Sequence, residues 1–238
     1  MKKTVKTITI WSDYACPYCY IGEKRLHDAV KELGVEDQVK FEYRAFELNP
    51  DLPVHSEGDI EGRLAAKYGL TKEEARKKID EIDSLGKEVG LDMNYGKAKV
   101  SNTFDAHRLM KFAETEYEPA IYETFNTMLF KAYFTDHKPL TDRRLLLDIA
   151  EACAIDGNQA KEVLDQGLYA DQVRYDEEEA RMRGIRGVPY MVFDGQFAVP
   201  GAISTEDCKK VVKEMLGLDK GTPNGVKGAS CDENGCAL

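Results

Sequence analysis

Thr7-Ile8-Thr9-Ile10-Trp11-Ser12-Asp13-Tyr14-Ala15-Cys16-Pro17-Tyr18-Cys19 decides the fold of this chain. Its first five residues make a β-branched, strand-like run. From Ile21 to Leu33 apolar residues recur at helical spacing (Ile21, Leu26, Ala29, Val30, Leu33). The two thiols therefore fall at a strand-to-helix junction, the first just ahead of the helix and the second inside its first turn. A sulfur there faces unpaired backbone N–H groups and the positive end of the helix dipole, both of which favour thiolate over thiol. With a second cysteine beside it to resolve the product, it has what thiol–disulfide exchange requires. The same spacing also serves half of a zinc site or a static disulfide; the strand–helix junction favours exchange.

A second element lies far downstream. Gly187-Val188-Pro189 leads into the short apolar strand Tyr190-Met191-Val192-Phe193, followed by a turn at Asp194-Gly195. Proline is permitted at the start of a strand, where it need not donate to the ladder. An X-Pro bond next to glycine is also where a cis peptide is retained. Alone, this is an ordinary strand-initiating proline. Together with the C-x-x-C pair it makes the chain resemble the thioredoxin superfamily, in which a cis-proline loop lies against the active-site disulfide.

Four segments narrow the resemblance: Trp11 to Cys19, Phe46-Glu47-Leu48-Asn49-Pro50, Ser101-Asn102-Thr103-Phe104-Asp105-Ala106-His107-Arg108, and Gly187 to Phe193. With the Cys231…Cys236 tail, they resemble a DsbA-like disulfide oxidoreductase of the cytosolic FrnE-like group. The resemblance implies that Cys16 and Cys19 are catalytic and that Val188 and Pro189 position substrate. It places Trp11, Pro17, Tyr18, Asn102 and His107 in the active-site neighbourhood and makes Cys231 and Cys236 an accessory redox pair. Pro17-Tyr18 departs from the family and is the dipeptide familiar from glutaredoxins, so the direction of exchange is not inherited.

Composition agrees. With 238 residues, 42% hydrophobic and 32% charged, the chain can bury a substantial core. A net charge of −10 argues against an electrostatic grip on nucleic acid or anionic lipid. Met1-Lys2-Lys3-Thr4-Val5 is basic, but no sustained apolar run follows it, and no stretch approaches the roughly 18 apolar residues a membrane span needs. The expected location is cytoplasmic, where structural disulfides are rare, so the six cysteines each need an explanation.

Cys153 is in helical phase with Leu146, Ile149 and Ala150, and Cys208 with Val211, Val212 and Met215; both read as small buried hydrophobes. Cys231 and Cys236 lie beyond Gly217–Ala229, a stretch with four glycines and one proline that reads as a flexible linker. Asn234-Gly235 is a strong turn dipeptide that lets the two sulfurs meet. The alternatives are a tail with incidental cysteines, or zinc held by Cys16, Cys19, Cys231 and Cys236.

The alternation of Lys40 to Leu48 makes the second strand. Helical segments follow at about 60–69, 72–85, 103–116, 119–134, 142–154, 158–167 and 169–183, with Thr71 and Glu74 forming a capping box. Strands return at 189–193 and near 197–199. This pattern is an α/β chain: a thioredoxin fold with a large inserted all-helical domain. Residues 1–50 and 170–217 would form the thioredoxin-like part, 51–169 the insertion, and 218–238 a flexible tail with the C-x4-C pair. His27, His55, His107 and His137 show no metal-ligand spacing, and His107 reads as a helix-packing or surface residue. Asp176-Glu177-Glu178-Glu179 reads as a solvated helix face. The aromatic-rich run from Tyr117 to Phe134 reads as core, with some members able to line a substrate cleft.

The expected activity is thiol–disulfide exchange with protein or small-molecule thiols and disulfides. No cofactor is required, and glutathione would enter only as a redox partner. Neither nucleic acid nor membrane is an expected partner, and no feature specifies an oligomeric state. Two other classes fit the pattern less well. A glutathione-dependent transferase or isomerase of the kappa or hydroxychromene-carboxylate isomerase type usually lacks the cysteine pair. A redox-responsive holdase would use the thiols only as a sensor.

Overall fold

The computed structural model describes residues 4–53, 58–219 and 228–232, and the backbone of residues 235–237. Strand β1 (Lys6–Ser12) runs parallel to β2 (Val39–Ala45), and helix α1 (Pro17–Leu33) supplies the crossover that parallel pairing needs. Ile8 and Ile10 on β1 are fully buried, as are Ile21, Leu26 and Ala29 on α1. Each such aliphatic side chain contributes about 1.5–3 kcal/mol by leaving water. Gly34 ends α1 at φ 63°, a left-handed conformation that glycine adopts without strain.

After β2 the chain turns away, because the Leu48 N–H donates to the Asp13 carboxylate (2.7 Å) rather than continuing the ladder. The strand is thus shorter than the alternation to Leu48 suggests. Helices α2 (Ile60–Tyr68), α3 (Lys72–Glu88), α4 (Phe104–Glu116), α5 (Pro119–Phe134), α6 (Arg143–Ala152), α7 (Gly157–Gln166) and α8 (Ala170–Met182) follow. Side-chain caps open several of them: Thr71 with Glu74 as a reciprocal box, Asp142 and Asp156.

This helical block is tied to the edge of β2 through side chains. The Tyr122 hydroxyl donates to Phe41 O (3.0 Å), and Glu114 accepts from Tyr43 N (2.8 Å). Lys111 donates to Tyr43 O (2.7 Å), and Asp176 accepts from Ala45 N (3.0 Å). An edge strand otherwise exposes these groups, and burying them unpaired would cost stability. Here the solvated-face reading of the acidic run needs correction. Asp176 is 1% exposed and ion-paired with Lys111 at 2.9 Å, because α8 packs along this edge.

The chain then returns to the sheet. β3 (Gly187–Val188) precedes β4 (Tyr190–Phe193), which pairs antiparallel with β1, and β5 (Phe197–Pro200) completes the order β2-β1-β4-β5. Helix α9 (Thr205–Met215) packs on α1 and buries Cys208, Val211 and Val212. The architecture is a thioredoxin fold with a helical insertion between β2 and β4.

Two short strands of the tail are built into the fold. Residues 220–227 and 233–234, including Asn234 of the expected turn, lie outside the described residues. Around them β6 (Ser230–Asp232) and β7 (Gly235–Ala237) form an antiparallel hairpin whose inner strand pairs with β3. Gly201 and Gly228 permit the close approach: a Cβ on Gly201 would lie 1.9 Å from Gly228 O.

Candidate active site

Asp13 shapes the loop between β1 and α1. Its carboxylate accepts from Ala15 N (3.1 Å) and from Leu48 N (2.7 Å), and its carbonyl oxygen accepts from Cys16 N (2.9 Å). These bonds hold Cys16 as the N-cap of α1 in extended conformation (φ −93°, ψ 112°). Pro17 follows at the first helical position, where its missing N–H costs nothing and its φ is already helical. Cys19 lies in the first turn, its N–H bonded to Cys16 O at 3.1 Å.

Both cysteines are free and have no exposed surface. Burial pushes the Cys19 thiol well above its usual range, and its hydrogen bond to Cys16 and the charges of Cys16 and Glu23 push the same way. The Cys16 thiol donates to Val188 O (3.6 Å), and the Val188–Pro189 bond is cis. Gly22 on α1 makes room for that loop: a Cβ there would meet Pro189 Cγ at 3.2 Å and Ala202 Cβ at 3.1 Å.

The remaining expected neighbours are placed as follows. Trp11 is buried and donates its indole N–H to Asp176 O (3.1 Å). Tyr18 is buried, its hydroxyl has no hydrogen-bond partner among the described residues, and burial raises its pKa. Asn102 bridges the insertion: its amide donates to Leu52 O (2.9 Å), and its side-chain oxygen accepts from Phe104 N (2.9 Å). His107 is 4% exposed, packed with its ring tilted against Tyr14 (4.8 Å between centroids), with Nε2 3.7 Å from Asp13 Oδ1. It is therefore a buried member of the Asp13 surroundings rather than a surface histidine. Cys153 and Cys208 are buried free thiols remote from this chemistry in sequence and role, and burial pushes Cys208 up to about 12.

Sequence reasoning missed a buried polar chain beneath the thiols. Tyr14 donates to Asn126 Oδ1 (3.0 Å), and Asn126 Nδ2 donates to Glu23 Oε2 (2.6 Å). Ser12 donates to Glu23 Oε1 (2.6 Å). Burial raises Glu23 to about 7, against the pull of these two donors and of His107. The signal was present: Glu23 is four residues after Cys19, in the same helical stripe as Leu26 and Val30, where a carboxylate interrupts apolar spacing.

Cys231 comes to this site from the opposite end of the chain. It is disulfide-bonded and pairs with Val188 across the β3–β6 ladder. In the hairpin Cys236 stands directly opposite Cys231; the Cys236 side chain lies outside the described residues. Among the described residues no group of three His, Cys, Asp or Glu side chains is arranged to hold a metal ion. Likewise no helix among them is long and apolar enough to cross a membrane. A cavity of about 530 Å3 opens beside the thiol loop, bounded by Ala15 and Leu48, by α2, and by Cys231 and Asp232.

Residues 7–213 match the DSBA-like thioredoxin domain family. An uncharacterized Bacillus subtilis protein, YwbO, is 25% identical over 209 residues, which span 87% of this chain and 96% of YwbO. The crystal structure of a probable DsbA oxidoreductase from Streptomyces coelicolor superimposes with a TM-score of 0.83 at 29% identity, covering 98% of this chain and 99% of that one. A 2-hydroxychromene-2-carboxylate isomerase shares the fold, with a TM-score of 0.62 at 14% identity over 90% of this chain and all of that one.

Proposed function

The chain belongs to the DSBA-like thioredoxin domain family, and on that premise we propose that it is a thiol–disulfide oxidoreductase working through Cys16 and Cys19. One observation supports this above the rest. Two free cysteines occupy the N-cap and first turn of α1, and the Cys16 sulfur is 3.6 Å from the carbonyl oxygen of Val188.

In this reading Cys16 attacks a substrate disulfide, forms a mixed disulfide and expels one substrate thiolate. Cys19 then gives up its proton and attacks the Cys16 sulfur, releasing the second thiolate and leaving a Cys16–Cys19 disulfide. The reverse sequence oxidises a substrate dithiol. Val188 and Pro189 align the substrate backbone. The substrates are protein or small-molecule thiols and disulfides, and the cycle needs no cofactor. Cys231 and Cys236 act as an accessory pair, which with the C-x4-C spacing supports the FrnE-like branch. Cytoplasmic residence is part of this reading.

The test is turnover of a peptide disulfide by the reduced protein. Cys16→Ser should reduce it to the uncatalysed rate, and Cys19→Ser should accumulate a mixed disulfide at Cys16. Full turnover by the Cys16→Ser variant would overturn the assignment.

A further inference from the structure

The reactive group on the cavity wall is the disulfide at Cys231. Cys16 does not line the 530 Å3 space, whereas Cys231, although only 1% exposed, and Asp232 both do. That volume falls within the ~300–1,000 Å3 typical of small-molecule sites and is too small for a folded protein partner.

The charge of the wall is unusual for a chain of net charge −10. Arg63 and Lys67, one turn apart on α2, line the cavity, against one acid among the described residues, Asp232. Lys67 is engaged with the hairpin, donating to Asp232 O at 3.2 Å. Arg63 is partly buried, and its guanidinium has no carboxylate within ion-pair reach among the described residues. Its positive charge is felt instead by two uncharged wall residues, Tyr95 and Tyr133. A partly desolvated arginine with no counter-ion among the described residues, facing a small cavity, suits a planar oxyanion of a ligand.

We propose that this cavity binds a carboxylate-bearing low-molecular-weight thiol, with Arg63 pairing its carboxylate and its sulfur presented to the disulfide at Cys231. The proposal rests on the reading of Cys231 as redox-active and identifies the class of molecule that recharges it. The ligand thiolate attacks the Cys231 sulfur, breaking the disulfide and releasing the partner sulfur as a thiolate. A second thiolate attacks the ligand sulfur of the mixed disulfide, freeing the Cys231 thiolate and forming the ligand disulfide. Two thiols are oxidised, one protein disulfide is reduced, and no further reactant is needed.

The experiment uses the full-length Cys16→Ser, Cys19→Ser protein, so that only the tail disulfide reports. Rates of its reduction by 3-mercaptopropionate, 2-mercaptoethanol and cysteamine are followed by alkylation and mass spectrometry. The same thiols reduce the oxidised peptide of residues 228–238, which cancels their intrinsic reactivities. The protein should favour 3-mercaptopropionate over 2-mercaptoethanol by about three- to tenfold more than the peptide does, and disfavour cysteamine, as expected for a partly desolvated charge pair. Arg63→Gln should abolish that preference and Arg63→Lys should keep most of it. A protein ratio equal to the peptide ratio, or a preference that survives Arg63→Gln, overturns the subsite. Turnover of a peptide disulfide by the wild-type protein separately reports on Cys16–Cys19 chemistry, so failure of either reading is seen by itself.

Discussion

Cys231 pairs with Val188 across an antiparallel ladder, on the residue whose carbonyl oxygen lies 3.6 Å from the Cys16 sulfur. The backbone that would align an extended substrate beside the thiols is therefore already paired with the chain's own tail. A docked strand at this edge satisfies the groups of β3 and covers the thiol loop. It also brings a disulfide-bonded cysteine to the rim of the C-x-x-C site.

The hairpin should govern access to Cys16. A Cβ on Gly187 would lie 2.9 Å from Cys231 O, so Gly187→Val pushes β6 off β3. Iodoacetamide labelling of reduced Cys16 should then accelerate about threefold or more, as for a locally opened segment. Cys208, held up to about 12 by burial under α9, should stay slow in both proteins. An unchanged Cys16 rate would show that another element covers it.

Exchange between the two ends is expected to leave a trappable product. In a Cys19→Ser variant under mild oxidation, Cys16 should be found cross-linked to a tail cysteine by peptide mapping. Replacing Cys231 and Cys236 by serine should alter recycling kinetics while leaving the thermal unfolding of the remaining protein nearly intact. Absence of the cross-link together with wild-type kinetics in the serine variant would separate the tail from the C-x-x-C chemistry.

Glu23 should make stability fall with rising pH. Its folded pKa of about 7 lies above the ordinary 4.5, so the folded state holds the proton more tightly than the unfolded chain does. The stability it lends is complete below about pH 4.5 and is lost as pH rises through 7, by a total of roughly 3 kcal/mol. Glu23→Gln can keep both Ser12 and Asn126 bonded without a charge. Urea unfolding between pH 5 and pH 8 should show the variant gaining on the wild type as pH rises; parallel curves would contradict the assignment.

Asp176 should be the costliest acid to remove from the acidic run. Its carboxylate accepts the Ala45 N–H and pairs with buried Lys111. Asp176→Ala should destabilise by about 3–5 kcal/mol, the range for breaking one side of a buried pair. Glu178→Ala, whose exposed side chain pairs with exposed Arg181, should stay within about 0.5 kcal/mol. Equal losses in urea titration would show that Asp176 is not holding the sheet edge.

The sequence alone determined what depends on residues within one or two turns of each other. The apolar spacing after Cys19 and the Thr71–Glu74 box made α1 and α3 legible, because helix periodicity and capping are local. The placement of Cys16 and Cys19 at a strand–helix junction followed for the same reason. Only tertiary structure decided which partners the buried charged groups meet. Glu23 meets Asn126 at a separation of 103 residues and Asp176 meets Ala45 at 131, and nothing near either acid announces its partner. The tail hairpin was equally hidden. Its strands are three residues long, too short to show alternation, and the inner one, β6, pairs with Gly187 and Val188, some forty residues earlier. Whether a polar group is solvated or buried depends on what packs against it, and that is fixed only when distant segments meet.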